Sequence, residues 1–186
     1  MKERQRLREL ILKRAFRHTE KPSFRLSSGK MSCYYFNLKR VNYSPEGQYL
    51  VGKVVFEKIK ELGLRPRAIG GLTLGADPIA TAVARHSFDA GQPIEAFVIR
   101  KEPKGHGTMS QIEGNVHEGD EVIIIDDVVT TGGSTLKAID AAERAGLKIL
   151  AVIAIVDRCE ERGRENIEQR GYPFYSIFTV KEFLEQ

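Results

Sequence analysis

The stretch Val122-Ile123-Ile124-Ile125-Asp126-Asp127-Val128-Val129-Thr130-Thr131-Gly132-Gly133-Ser134-Thr135 decides how the rest of the chain is read. Its opening apolar run suits a strand covered on both faces, as parallel strands are. Two acids close that strand. In open parallel sheets, ligands bind beyond the carboxyl ends of the strands. Burying paired carboxylates is costly, so Asp126 and Asp127 are expected to face a polar crevice. The turn that follows opens a helix. Glycines let the backbone approach a ligand closely, and free N–H groups with the helix dipole favour a phosphate there. Thr130, Thr131 and Ser134 add hydroxyl donors. No Lys follows the glycines as in a nucleotide P-loop, and the dinucleotide spacing G-x-G-x-x-G is absent. A phosphate loop preceded by two acids suits a ligand with both a phosphate and vicinal hydroxyls, that is, a phosphorylated ribose. A lone Asp and Gly would be an ordinary βα turn; the full string says more.

Outward from this segment the pattern repeats. A helix is expected over 132–145, closed by Gly146, and a long apolar strand over 149–156. Upstream, short strands are expected over 68–70, 94–99 and 121–125. Asp77-Pro78 reads as the cap of a helix running to about Ala84. Ser44-Pro45 reads as an N-cap with Pro at the first helical position, and Gly63 as the end of that helix. Leu7, Leu10, Ile11 and Ala15 share one face of an N-terminal helix. Residues 172–178 read as a last strand, and Thr179 with Glu182 has capping-box spacing. Strands alternating with helices give an α/β fold, a mainly parallel sheet flanked by helices.

Composition sets the bounds. The 186 residues, 41% hydrophobic, suit one domain with a full core. The first seventeen residues are charged throughout and do not resemble a signal peptide. No stretch reaches the roughly 20 apolar residues of a membrane span. A soluble, cytoplasmic protein is expected. Cys33 and Cys159 lie far apart, match no zinc spacing and read as free thiols. A net charge of +4 leaves nucleic acid or small anions as partners, to be decided by where the charges lie.

They gather after the 94–99 strand, in Arg100, Lys101, Lys104 and His106. The polar, glycine-bearing stretch 103–115 reads as a long mobile loop, a lid in functional terms. Such cations stabilise a departing pyrophosphate, and a lid excludes water. Asp157-Arg158 ends the 149–156 strand on the ligand side, where Arg suits a carboxylate; the plainer alternative is a surface salt bridge.

The 122–135 string resembles the phosphoribosyl-pyrophosphate motif of the type I phosphoribosyltransferases. The order Arg-Lys-x-x-Lys-x-His-Gly narrows the resemblance to the orotate phosphoribosyltransferases, over nearly the whole chain from Phe24 to Phe183. The resemblance implies a type I phosphoribosyltransferase fold, one domain over 1–186. Residues 1–40 and the C-terminal segment would form a hood over the base. It implies transfer of ribose 5-phosphate from 5-phosphoribosyl 1-diphosphate to orotate, in pyrimidine synthesis. Donor contacts then fall on Arg100, Lys101, Lys104, His106, Asp126, Asp127, Val128, Val129, Thr130, Thr131, Gly132, Gly133 and Ser134. Orotate contacts fall on Thr130 and Arg158, and catalytic duty on Lys104 and Asp127. Mg²⁺ would be held through substrate oxygens rather than by a protein metal site. A homodimer is implied, the basic loop serving the partner's site; nucleic acid and membrane are not expected partners. The segment from Phe24 to Ser32 and Tyr34-Tyr35-Phe36 resembles the part of the family beside orotate. Tyr35 and Phe36 either stack on the pyrimidine or belong to an aromatic core strand. The chain departs from some members at Ser27 and Gly75, where those carry donor-holding lysines. Two rivals stand beside this reading: a transferase for another base, and a non-catalytic regulator binding nucleic acid.

Overall fold

Residues 2–26, 29–102 and 111–184 are described by the computed structural model. Lys104 and His106 therefore lie outside the described residues. The chain begins with α1 (Lys2–Arg14), β1 (Phe16–His18), β2 (Phe24–Arg25), β3 (Met31–Ser32), β4 (Tyr34–Phe36) and α2 (Lys39–Asn42). Then come α3 (Pro45–Glu61), β5 (Ala68–Leu72), α4 (Asp77–Asp89), β6 (Glu95–Ile99), β7 (Ile112–Gly114) and β8 (Glu121–Val129). The last elements are α5 (Gly133–Arg144), β9 (Lys148–Asp157), α6 (Gly163–Glu168), β10 (Phe174–Thr179) and α7 (Lys181–Leu184).

Six strands form the central sheet in the order β10-β9-β8-β5-β6-β7. All neighbours are parallel except β6 and β7. The period-two alternation of a strand divides the core in two. Ile123 and Ile125 of β8 face the layer built from α1, α3 and α4, whereas Val122 and Ile124 join Ala138, Ile139 and Ala142 of α5. From β5 the chain moves one way to β6 and β7, then returns to lay β8 on the other side of β5. The sheet reverses its winding between β5 and β8, and a crevice opens there at the strand ends.

Several expectations need correction. The strand begun at Glu121 continues through both acids to Val129, because β9 stays beside it and pairs Val128 with Val156 and Val129 with Asp157. α4 runs past Ala84 to Asp89; Ser87 in its last turn is buried and accepts from Ile94 N at 2.9 Å. Asp77 does not cap α4. It is the first helical residue, and its Oδ2 accepts from Thr73 Oγ1 at 2.6 Å. The 103–115 stretch is not loop to its end, since Ile112–Gly114 forms β7 against β6. Ser44 behaves as read: its hydroxyl accepts from Gly47 N at 3.1 Å. At the last helix Glu182 Oε1 accepts from Thr179 N at 3.0 Å, the reach-back half of a capping box.

Candidate active site

The acid pair lies at the reversal of the sheet. Asp126 is buried, with Oδ1 accepting from Asp127 N at 2.9 Å and Oδ2 from Thr135 Oγ1 at 2.8 Å. Asp127 Oδ1 accepts from Val128 N at 2.9 Å, and its Oδ2 lies 3.9 Å from Lys39 Nζ. Both carboxylates converge on the turn after β5. A Cβ placed on Gly75 would stand 3.0 Å from Asp127 Oδ1 and 3.1 Å from Asp126 Oδ1. The absence of a side chain at this position lets the turn close on the acids. Burial, and then the charge of Asp127, push Asp126 up to about 7; both causes penalise its ionised form.

Next to Asp126 is a cavity of about 310 Å³ lined by Val128, residues 130–135 and Lys137. Gly132, at φ +78°, turns the chain from β8 into α5. The first bond of that helix runs from Leu136 N to Gly132 O at 2.7 Å. The N–H groups of Ser134 and Thr135 precede it and have no partner within the helix. Thr130, Thr131, Ser134 and Thr135 all line the cavity, and a helix start rich in N–H and hydroxyl donors suits an anion. A larger cavity of about 520 Å³ opens beside Phe56, Pro66 and Pro93, before β5 and β6 begin. It lies at the far end of the strands from the acids.

Arg100 and Lys101 are exposed at the end of β6. Arg100 N donates to Gln111 O at 2.9 Å, and Gln111 Nε2 returns a bond to Arg100 O at 2.8 Å. These bonds join the two described ends that flank residues 103–110. Arg100 also lies 3.5 Å from Glu113.

Arg158 is not the surface ion pair that its position also allowed, because only 4% of its side chain is exposed. Its Nε and Nη2 lie 3.2 and 3.0 Å from Glu160 Oε2. Nη2 also donates to Ser32 Oγ at 3.1 Å and Tyr34 O at 3.2 Å, and the guanidinium covers the Tyr34 ring at 4.7 Å. Burial, then Glu160, raise the Tyr34 hydroxyl well above its ordinary range. The Arg158 amide donates to Val129 O at 3.0 Å, which sets Arg158 beside the strand end that leads into Thr130. The backbone after Arg158 is tightly wound, with Cys159, Glu161 and Arg162 all at positive φ near +55°. Phe36 belongs to the core, packed on Phe16 and Phe183; Tyr35 is exposed and stacks on Phe24.

The structure thus gathers Asp126, Asp127, Val128 and residues 130–134 around one crevice, with Arg158 at its flank, whereas the Val129 side chain is buried in the core and does not line it. Sequence reasoning did not single out Thr135, Lys137, Lys39 or Glu160. Thr135 sits inside the decisive string, and its spacing from Asp126 across a strand-to-helix turn was a usable signal. Lys39 belongs to no motif.

Residues 38–183 match the family model described as the phosphoribosyl transferase domain. The chain is 53% identical over 184 residues to the orotate phosphoribosyltransferase of Aquifex aeolicus, covering 99% of each chain. Among solved structures it is similar to Mycobacterium tuberculosis orotate phosphoribosyltransferase in complex with Fe(III) dicitrate. That likeness has a TM-score of 0.83 at 34% identity, over 97% of this chain and 98% of the other. The same enzyme in complex with 5-phospho-alpha-D-ribosyl 1-diphosphate gives a TM-score of 0.78 at 31% identity, with the same coverage.

Proposed function

This chain belongs to the phosphoribosyl transferase domain family, and from that membership we propose that it is an orotate phosphoribosyltransferase. It moves ribose 5-phosphate from 5-phosphoribosyl 1-diphosphate to a ring nitrogen of orotate, releasing diphosphate, as a step of pyrimidine synthesis. One observation carries the reading. An acid pair, a Thr- and Gly-lined anion cradle and a buried arginine meet at the strand ends where the sheet reverses.

In this reading, residues 128–134 hold the 5′-phosphate through backbone N–H groups and hydroxyls. Asp126 and Asp127 accept the ribose hydroxyls. Asp127, the more open of the two, also steadies the positive charge that develops on the sugar as its bond to diphosphate breaks. Arg100, Lys101, Lys104 and His106 collect the charge on the departing diphosphate. The orotate carboxylate takes the place of Glu160 on Arg158, and Thr130 lies at the boundary between base and sugar. Catalysis then rests on positioning and electrostatics, without a protein nucleophile.

Mg²⁺ fits the site as an ion brought in on the substrate. Among the described residues no three His, Cys, Asp or Glu side chains come together to hold a metal. Diphosphate, ribose and water oxygens would hold the ion, with the carboxylates of Asp126 and Asp127 supplying negative charge beside it. When bound, the ion neutralises diphosphate charge. We further propose a single domain over 1–186, with residues 1–40 and the C-terminal segment forming the base hood. It works as a homodimer in which Lys104 and His106 serve the partner's site. No helix among the described residues is long and apolar enough to cross a membrane. Cys33 and Cys159 are free, in keeping with a reducing cytoplasm.

The test is diphosphate release from the donor with orotate, uracil, adenine or hypoxanthine as acceptor. Turnover is expected with orotate alone. Arg158→Gln is expected to raise the KM for orotate about ten- to a hundred-fold, as loss of a charge-assisted contact does, with the donor KM little changed. A wild-type enzyme inactive with orotate would sink the assignment.

A further inference from the structure

We propose that Lys39 is a donor-binding residue: its ammonium balances Asp127 in the free enzyme and turns onto the donor's diphosphate when that ligand binds. The proposal rests on the assignment of 5-phosphoribosyl 1-diphosphate to this crevice and adds a residue to it.

The position of Lys39 along the crevice carries the argument. From one end, the order is the anion cradle, then Thr135 on Asp126 Oδ2, then Asp126, then Asp127, then Lys39 on Asp127 Oδ2. The donor is built in the same order, with 5′-phosphate, ribose hydroxyls and diphosphate in line. With the phosphate in the cradle and the hydroxyls on the acids, the diphosphate falls on the side where Lys39 stands. The turn at Gly75 closes over Asp127 Oδ1, so the two oxygens of Asp127 face the turn and the lysine. No other ion pair to Asp126 or Asp127 is present among the described residues.

The root of Lys39 is fixed and its side chain is half-exposed. Leu38 and Val41 on either side are buried, as is Asn42, whose carbonyl accepts from Gln48 Nε2. The Lys39 side chain is 51% exposed. A lysine carries a point charge on a flexible stem and can re-aim it without moving the backbone. Two adjacent carboxylates would repel an incoming diphosphate, and a cation already beside them lowers that repulsion. The bland alternative is a surface ion pair of little consequence.

Two probes separate these accounts by isothermal titration: 5-phosphoribosyl 1-diphosphate with Mg²⁺, and ribose 5-phosphate, which lacks the diphosphate. Lys39→Ala is expected to weaken donor binding about ten-fold or more, as loss of a charge-assisted contact does, and to leave ribose 5-phosphate binding unchanged. The KM for the donor should rise in step, with that for orotate unmoved, and Lys39→Arg should restore most of the loss. The thermal midpoint of Lys39→Ala should match wild type. Equal weakening of both probes, or of neither, overturns the proposal, as does a loss accompanied by a lower midpoint. The two readings fail separately. If the selective loss is found but wild type never turns over orotate, Lys39 keeps its role and the orotate assignment falls.

Discussion

Asp126 has one oxygen on Thr135 and the other on the Asp127 amide. Its carboxyl is nonetheless pushed up to about 7, because burial and the neighbouring charge outweigh those two bonds. The folded pKa is raised above the unfolded value, so the folded chain binds more protons between about pH 4 and 7. Its contribution to stability is fully present below the unfolded pKa and is lost as pH rises through 7. Thermal melts from pH 4 to 8 should show Asp126→Asn with a flatter profile than wild type and a higher midpoint at pH 8. The same variant should lose donor turnover, because in the proposed function Asp126 accepts ribose hydroxyls as a carboxylate and an amide offers one acceptor oxygen where a carboxylate offers two. At this scale the sequence disclosed the acids, since an apolar run ending in two carboxylates needs a polar partner. It did not disclose Lys39, whose meeting with Asp127 depends on how α2 packs against α1 and α3.

The elements that bear the site were the most legible, and their ends the least. β8 was visible as an apolar run, but its extension to Val129 depends on β9 lying alongside, a long-range pairing with no local signal. β1 to β4 have two or three residues each, too short for a period to register. The glycines predict the turn into α5, and its backbone gives the reason. Gly132 sits at φ +78°, and a Cβ there would lie 3.1 Å from Gly163 O. Gly132→Ala is expected to cost about 1–2 kcal/mol from the left-handed backbone alone. Because the turn shapes the cradle, the donor KM should rise more than the orotate KM. Urea unfolding and steady-state kinetics on one preparation check both.

At the scale of the whole molecule, the proposed dimer makes each site depend on two chains. Lys104→Ala and Asp127→Asn are each expected to be inactive alone. Co-expressed under separate tags and purified as the mixed dimer, they should regain part of the wild-type rate, because one of the two sites then carries neither change. An inactive mixed dimer would place Lys104 in the site of its own chain. The contacts of Arg158 reach far along the chain as well, to Ser32 and Tyr34 more than 120 residues earlier. Arg4 and Arg8 reach further still, to Ile177 and Glu182. Contacts of such separation close the largest loops and assemble late. On a growing chain, the phosphate cradle of residues 130–135 is synthesised before Arg158 exists. The ribosome therefore releases the whole cradle before the one arginine that the proposed function sets against the orotate carboxylate.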